Sequence, residues 1–234
     1  IQFMIRPLLS KIISNLKNSI GWKTKRKIVV FSVDDYGNVR LNSAQARKNM
    51  DAAGMKIYSR FDALDTLETA QDLEQLFEVL SSVKDKNGNH AVFTPFALPC
   101  NIDFEKMEAD DFQKFYFETL PNTYKKMALQ QPEAYTGTWD LWKDGIAKGF
   151  LKPQFHGREH LNLTVFNDKL KKRDSQLLTA LKNKSYTSIS DEDYPTMSST
   201  AALDFWDVKE NEAMKPILKE GLELFEEVYG YKSN

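Results

Sequence analysis

The sequence predicts an α/β fold organised around a parallel sheet. Short β-branched or aromatic runs alternate with longer segments of helical periodicity, which is the pattern of strands joined by helical crossovers. The 234 residues are 41% apolar and 28% charged, the mix of an ordinary globular chain long enough to bury a core. Cys100 is the only cysteine, which excludes an intrachain disulfide and a cysteine-rich zinc knuckle. The pattern alone fits a sheet that stays open or one that closes into a barrel.

Residues 1–26 differ from the rest. Residues 1–27 hold seven basic residues (Arg6, Lys11, Lys17, Lys23, Lys25, Arg26, Lys27) and no acid, while the whole chain has a net charge of −1. Ile5, Leu8, Leu9, Ile12, Ile13, Leu16 and Ile20 recur at helical spacing ahead of Gly21. This predicts a basic amphipathic helix over residues 1–20, packed on protein, with contact to an anionic membrane surface as the lesser reading. Ser10, Lys11, Ser14 and Asn15 break the apolar run that a secretory signal would need, and no segment is long enough to span a membrane. The expected location is therefore cytoplasmic or peripheral to a membrane. The balanced charge offers no field for nucleic acid.

Residues 27–234 are expected to form one domain. Lys27–Val33 (KIVVFSV) reads as a buried strand. Ser43 caps a helix to Ala53, stopped by Gly54, and a second helix covers Ala70–Lys84. His90–Phe96 reads as a strand ended by Pro95. Helices are expected near Ala109–Thr119 and Thr138–Lys148, with Trp139, Trp142 and Phe150 as core. A strand follows at Lys152–His156, then helix over Leu163–Lys182, a short strand at Tyr186–Ile189, a surface loop at Ser190–Thr200, and a final helix over Val208–Tyr229.

Two polar clusters stand at strand ends, where parallel α/β folds collect their reactive groups. Asp34-Asp35-Tyr36-Gly37 follows the first strand. Adjacent carboxylates there repel each other unless a proton or cation intervenes. His156-Gly-Arg-Glu-His160 follows a later strand and contains two of the three histidines. Were this segment helical, both imidazoles would lie on one face, close enough to share a metal with a carboxylate as third ligand. Three ligands leave a position open, the layout of a catalytic centre. Arg158 and Glu159 are expected to pair and orient the segment, and Tyr36, Phe96 and Pro99–Asn101 to line the mouth.

FSVDDYG followed by HGREH resembles the polysaccharide deacetylase family, and the DDYG form is similar to its chitin-oligosaccharide deacetylase relatives. The resemblance implies a distorted, TIM-like (β/α) barrel and a metal-dependent hydrolase that removes acetyl groups from amino sugars of a polysaccharide or oligosaccharide. By matching positions it makes Asp34 the catalytic base and Asp35, His156 and His160 the ligands of a divalent metal, zinc by expectation. The family's late motifs, including a histidine that protonates the leaving amine, have no counterpart after residue 160, so the barrel is expected to be incomplete at its C-terminal side. Two rival readings compete. His156–His160 also spells the H-x-x-E-H pattern of a zinc metallopeptidase, with Glu159 as base. The missing histidine suits a non-catalytic, glycan-binding relic of the same fold.

Overall fold

The computed structural model describes residues 13–17, 19–21, 23–25, 27–194 and 196–234. It divides into two units, Ile1–Phe31 and Ser32–Asn234. In the first, residues 13–17 and 19–20 are helical, with Ile13, Leu16 and Ile20 exposed. The remainder of the helix expected over residues 1–20 lies outside the described residues. Among the described residues, no helix is long and apolar enough to cross a membrane.

The first strand starts later than expected. Strand β1 is Ser32–Tyr36, whereas Ile28, Val29, Val30 and Phe31 are exposed and carry no ladder. Propensity alone does not place a strand; a partner does. The partner is β2, Thr94–Ala97, and its ladder with β1 opens at Ser32↔Thr94. Strand β5 (Gln154–Phe155) pairs in parallel with the other edge of β2, giving the order β1-β2-β5. Pro95 does not end β2 but lies within it, opposite Val33, where the register of β1 becomes irregular. Among the described residues the parallel sheet stays open at three strands.

Other departures have local causes. Strands β3 (Cys100–Ile102) and β4 (Phe117–Thr119) form an antiparallel pair too short to show a period in sequence. The helix expected at Ala109–Thr119 stands earlier, at Phe104–Ala109 (α4), because Asp103 caps it by accepting from the Lys106 amide, and Asp111 and Phe112 then turn left-handed. Residues 163–182 form two helices, α8 (Leu163–Lys171) and α9 (Ser175–Lys182), broken by Arg173 at φ +54° and restarted by the Asp174 cap. No strand forms at Tyr186–Ile189.

The expected helices at 43–53, 70–84 and 138–148 stand as α1 (Ala44–Ala52), α3 (Ala70–Ser82) and α7 (Thr138–Ala147). Between them come α2 (Arg60–Leu64), α5 (Leu120–Gln130) and α6 (Pro132–Tyr135). The last helix, α10 (Asn211–Tyr229), follows a 3₁₀ turn at Val208–Glu210. Trp142 and Tyr124 are fully enclosed, and the Trp142 and Tyr229 rings lie 5.7 Å apart, tying α7 to α10. Trp139 and Phe150 pack at the edge of this core, as expected.

Gly221 lets α10 approach the segment that follows β5. A Cβ there would stand 2.9 Å from both Arg158 Cβ and the Phe155 ring. Gly221→Ala gains about 1 kcal/mol of helix propensity, but overpacking costs about 1–3 kcal/mol. The urea midpoint is expected to fall; a raised midpoint would show that this contact is slack.

Candidate metal centre

The strand order brings the two polar clusters together. Ala97 of β2 pairs with Tyr36 of β1 on one side and Phe155 of β5 on the other, so Asp35 and His156 flank the same point of the sheet. Two strand spacings separate them, about 10 Å, which side chains can span. Asp35 has φ +64°, a left-handed conformation rare outside glycine, asparagine and aspartate, and it coincides with the irregular register of β1. Asp34 and Asp35 therefore sit inside the strand, not in a loop after it.

Asp35 Oδ1 lies 3.2 Å from His156 Nε2 and 3.0 Å from His160 Nε2. The imidazoles stack with centroids 5.2 Å apart. The expected helix across the motif does not form: residues 156–160 are a loop, and Gly157 takes φ +105°. The loop brings both rings to Asp35 all the same. Ligand atoms of Asp35, His156 and His160 lie within 4.8 Å of one another, so this half-buried group can hold a metal ion.

Electrostatics supports that reading. Burial pushes the His160 imidazole down, the charges of Arg40 and His156 add to this, and Asp35 only partly opposes it. A neutral imidazole presents a lone pair, as a metal ligand must. Burial works to raise the Asp35 pKa, but the His156 contact and the charges of His160 and Arg40 outweigh it and hold the carboxyl below its usual range. Asp35 Oδ1 and His160 Nδ1 are enclosed, and neither has a satisfied hydrogen bond. One enclosed carboxylate oxygen within 3.2 Å of two imidazole nitrogens is a donor set that a divalent ion could bridge.

Asp34 is exposed at the edge of this group, and its charge reaches His160. Arg158 and Glu159 are buried and form a two-pronged pair, Nε–Oε2 at 2.5 Å and Nη2–Oε1 at 2.9 Å, as expected. Arg158 also pairs with Glu220 of α10 and lies 4.2 Å over the Phe117 ring. Glu159 is thereby committed to Arg158, which counts against its serving as the base of an H-x-x-E-H peptidase.

Tyr36 does not serve as a platform at the mouth. Its ring packs inward against Phe93 and Trp142, and burial together with the Glu68 charge pushes its hydroxyl up to about 12. Phe96 does flank the group, 6.0 Å from the His156 ring. Buried Asn101 accepts from the Val39 amide and donates to Gly37 O, pinning the turn after β1. Cys100 is buried, and burial pushes its thiol up, which makes it inert. His90 lies against Phe150, away from the cluster.

Two supporting residues escaped the sequence reading. Arg40 places Nη2 2.5 Å from Asp35 Oδ2 and Nε 3.1 Å from Asp65, fixing one Asp35 oxygen and leaving the other to the imidazoles. Its charge, five residues beyond Asp35, was a readable signal. Glu68 accepts from Tyr124 at 2.6 Å, Trp142 at 3.0 Å and the Gly37 amide at 3.4 Å. No local signal marks it. No family model, curated protein or solved structure matches this chain.

Burial raises the Glu68 pKa above the ordinary 4.5, even against its hydrogen bonds. The folded chain then binds more protons than the unfolded chain, so this carboxyl's contribution is greatest below its unfolded pKa and is lost as pH rises through the folded value. Glu68→Gln does not titrate there. The melting temperature of the unaltered chain is expected to fall relative to the variant as pH rises above the ordinary carboxylate range; a constant gap would remove Glu68 from this role.

Proposed function

We propose that this chain is a metal-dependent hydrolase that removes acetyl groups from amino sugars of a polysaccharide or oligosaccharide, on a TIM-like (β/α) scaffold. The observation that carries the reading is the meeting of Asp35, His156 and His160 ligand atoms within 4.8 Å, from two motifs distant in sequence. The resemblance of those motifs to the polysaccharide deacetylases supplies the substrate class. Zinc suits a donor set of two imidazoles and one carboxylate. When bound, such an ion activates water at neutral pH and polarises an acyl carbonyl.

The protein's own groups do the rest. Asp35 and the two imidazoles would hold the ion, and Arg40 engages Asp35 Oδ2 while the imidazoles face Oδ1. Asp34, exposed beside the group, takes the proton of the attacking water. The Arg158–Glu159 pair keeps both histidines on station.

Metal analysis tests the ligand set. The purified chain is expected to retain zinc near one equivalent through dialysis, and His156→Ala to lose it. Equal zinc in both would dissolve the proposed centre.

The base is tested separately. Asp34→Asn is expected to keep the metal and lose about 10²–10⁴-fold in deacetylation of N-acetylated oligosaccharides. Undiminished turnover would assign the proton transfer to another group, and zinc binding without hydrolysis in the unaltered chain would favour the glycan-binding relic.

A further inference from the structure

The first unit carries a chemistry that the candidate centre does not use. The seven basic residues of Ile1–Phe31 meet no acid within that unit, while the rest of the chain holds 25 basic and all 33 acidic residues. Attraction for an anionic surface is therefore concentrated at one end of the chain.

The apolar residues of the same unit lie open to solvent. Ile13, Leu16 and Ile20 follow the spacing of one helical face, and Ser14, Asn15 and Ser19 project from the other sides. The three apolar residues are 51%, 59% and 88% exposed. A helix packed on protein buries such a stripe. Its exposure favours the membrane reading of this arm over the protein-packed one. A second apolar run, residues 28–31, is 54–77% exposed. Lys17, Lys23, Lys25 and Lys27, all exposed, stand in the sequence between Leu16 and this run. Trp22 belongs to the same stretch, a residue type favoured where water meets lipid.

Open apolar side chains interspersed with cations match the boundary of an anionic bilayer, where acyl chains take the first and lipid phosphates the second. Nucleic acid would satisfy the charge and leave the apolar residues in water. We propose that the first unit docks this chain on an anionic phospholipid surface, with Ile13, Leu16, Ile20 and residues 28–31 entering the headgroup region and the lysines meeting lipid phosphates. The docking does not rest on the proposed activity. Phe31 is bonded directly to Ser32 of β1, so docking keeps the second unit at the membrane surface.

Co-sedimentation of the full chain with lipid vesicles is the test. Vesicles of phosphatidylglycerol and phosphatidylcholine in equal parts are expected to bind it at least about tenfold more tightly than phosphatidylcholine alone. That preference is expected to vanish as salt rises from about 0.1 M to about 1 M, where the Debye length falls to about 3 Å. Two variants separate the contributions. Leu16→Ser with Ile20→Ser removes apolar surface and keeps every charge; Lys23→Gln with Lys25→Gln and Lys27→Gln does the reverse. Each is expected to lose about tenfold or more in affinity for the anionic vesicles. All five side chains are exposed, so the melting temperature is expected to stay unchanged. No binding, equal binding to both kinds of vesicle, or undiminished binding by either variant overturns the docking. So does a lowered melting temperature in the Leu16 and Ile20 variant, which would place the stripe against protein.

Discussion

Five residues of irregular backbone, His156 to His160, present two imidazoles to one carboxylate, and they do so without a helix or ladder of their own. Their shape depends on the buried Arg158–Glu159 pair. The guanidinium meets Glu159 twice, reaches Glu220 on the last helix and covers the Phe117 ring, so one side chain braces the loop and ties it to two other parts of the fold. Removing one partner of a buried pair typically costs about 3–5 kcal/mol, because the other charge is left stranded. The sequence interleaves this pair between the histidines, which means the loop cannot be reorganised without unpairing a buried charge.

The opposite side of the centre is held by neutral hydrogen bonds and a single enclosed carboxyl. Asn101 clamps the backbone at Gly37 and Val39, and Glu68 closes the same turn from beneath through Tyr124 and Trp142. Neither residue touches the ligand atoms. Both restrict the backbone that carries them, so the carboxylate side is rigid for reasons of packing and the imidazole side for reasons of charge.

How much was legible in the sequence follows from how local each signal is. The helices at 44–52, 70–82 and 138–147 were readable because caps, stops and periodicity lie within each segment. That Asp35, His156 and His160 meet could be expected from two short motifs at strand ends, although the helix expected to align the histidines is absent. The start of β1 was not readable, since Ile28–Phe31 has the same strand propensity as Ser32–Tyr36 and only the partner strand chooses between them. The pairing of β3 with β4, three residues each, lies below any periodic signal. Glu68 acts across 31 positions to Gly37 and 74 to Trp142, distances at which a single sequence carries no trace of contact.

The left-handed backbone at Asp35 also shapes how this protein can change over time. At φ +64° most side chains are disfavoured, and the residues that tolerate the position are glycine, asparagine and aspartate itself. Two of those three keep the chain path while discarding the carboxylate. A lineage can therefore remove this carboxylate in one step through Asn or Gly with little disturbance to the sheet, whereas bulkier replacements carry a folding penalty. Chains that keep this backbone without the Asp35–His156–His160 donor set should be recognisable by that substitution pattern, with the Arg158–Glu159 pair retained.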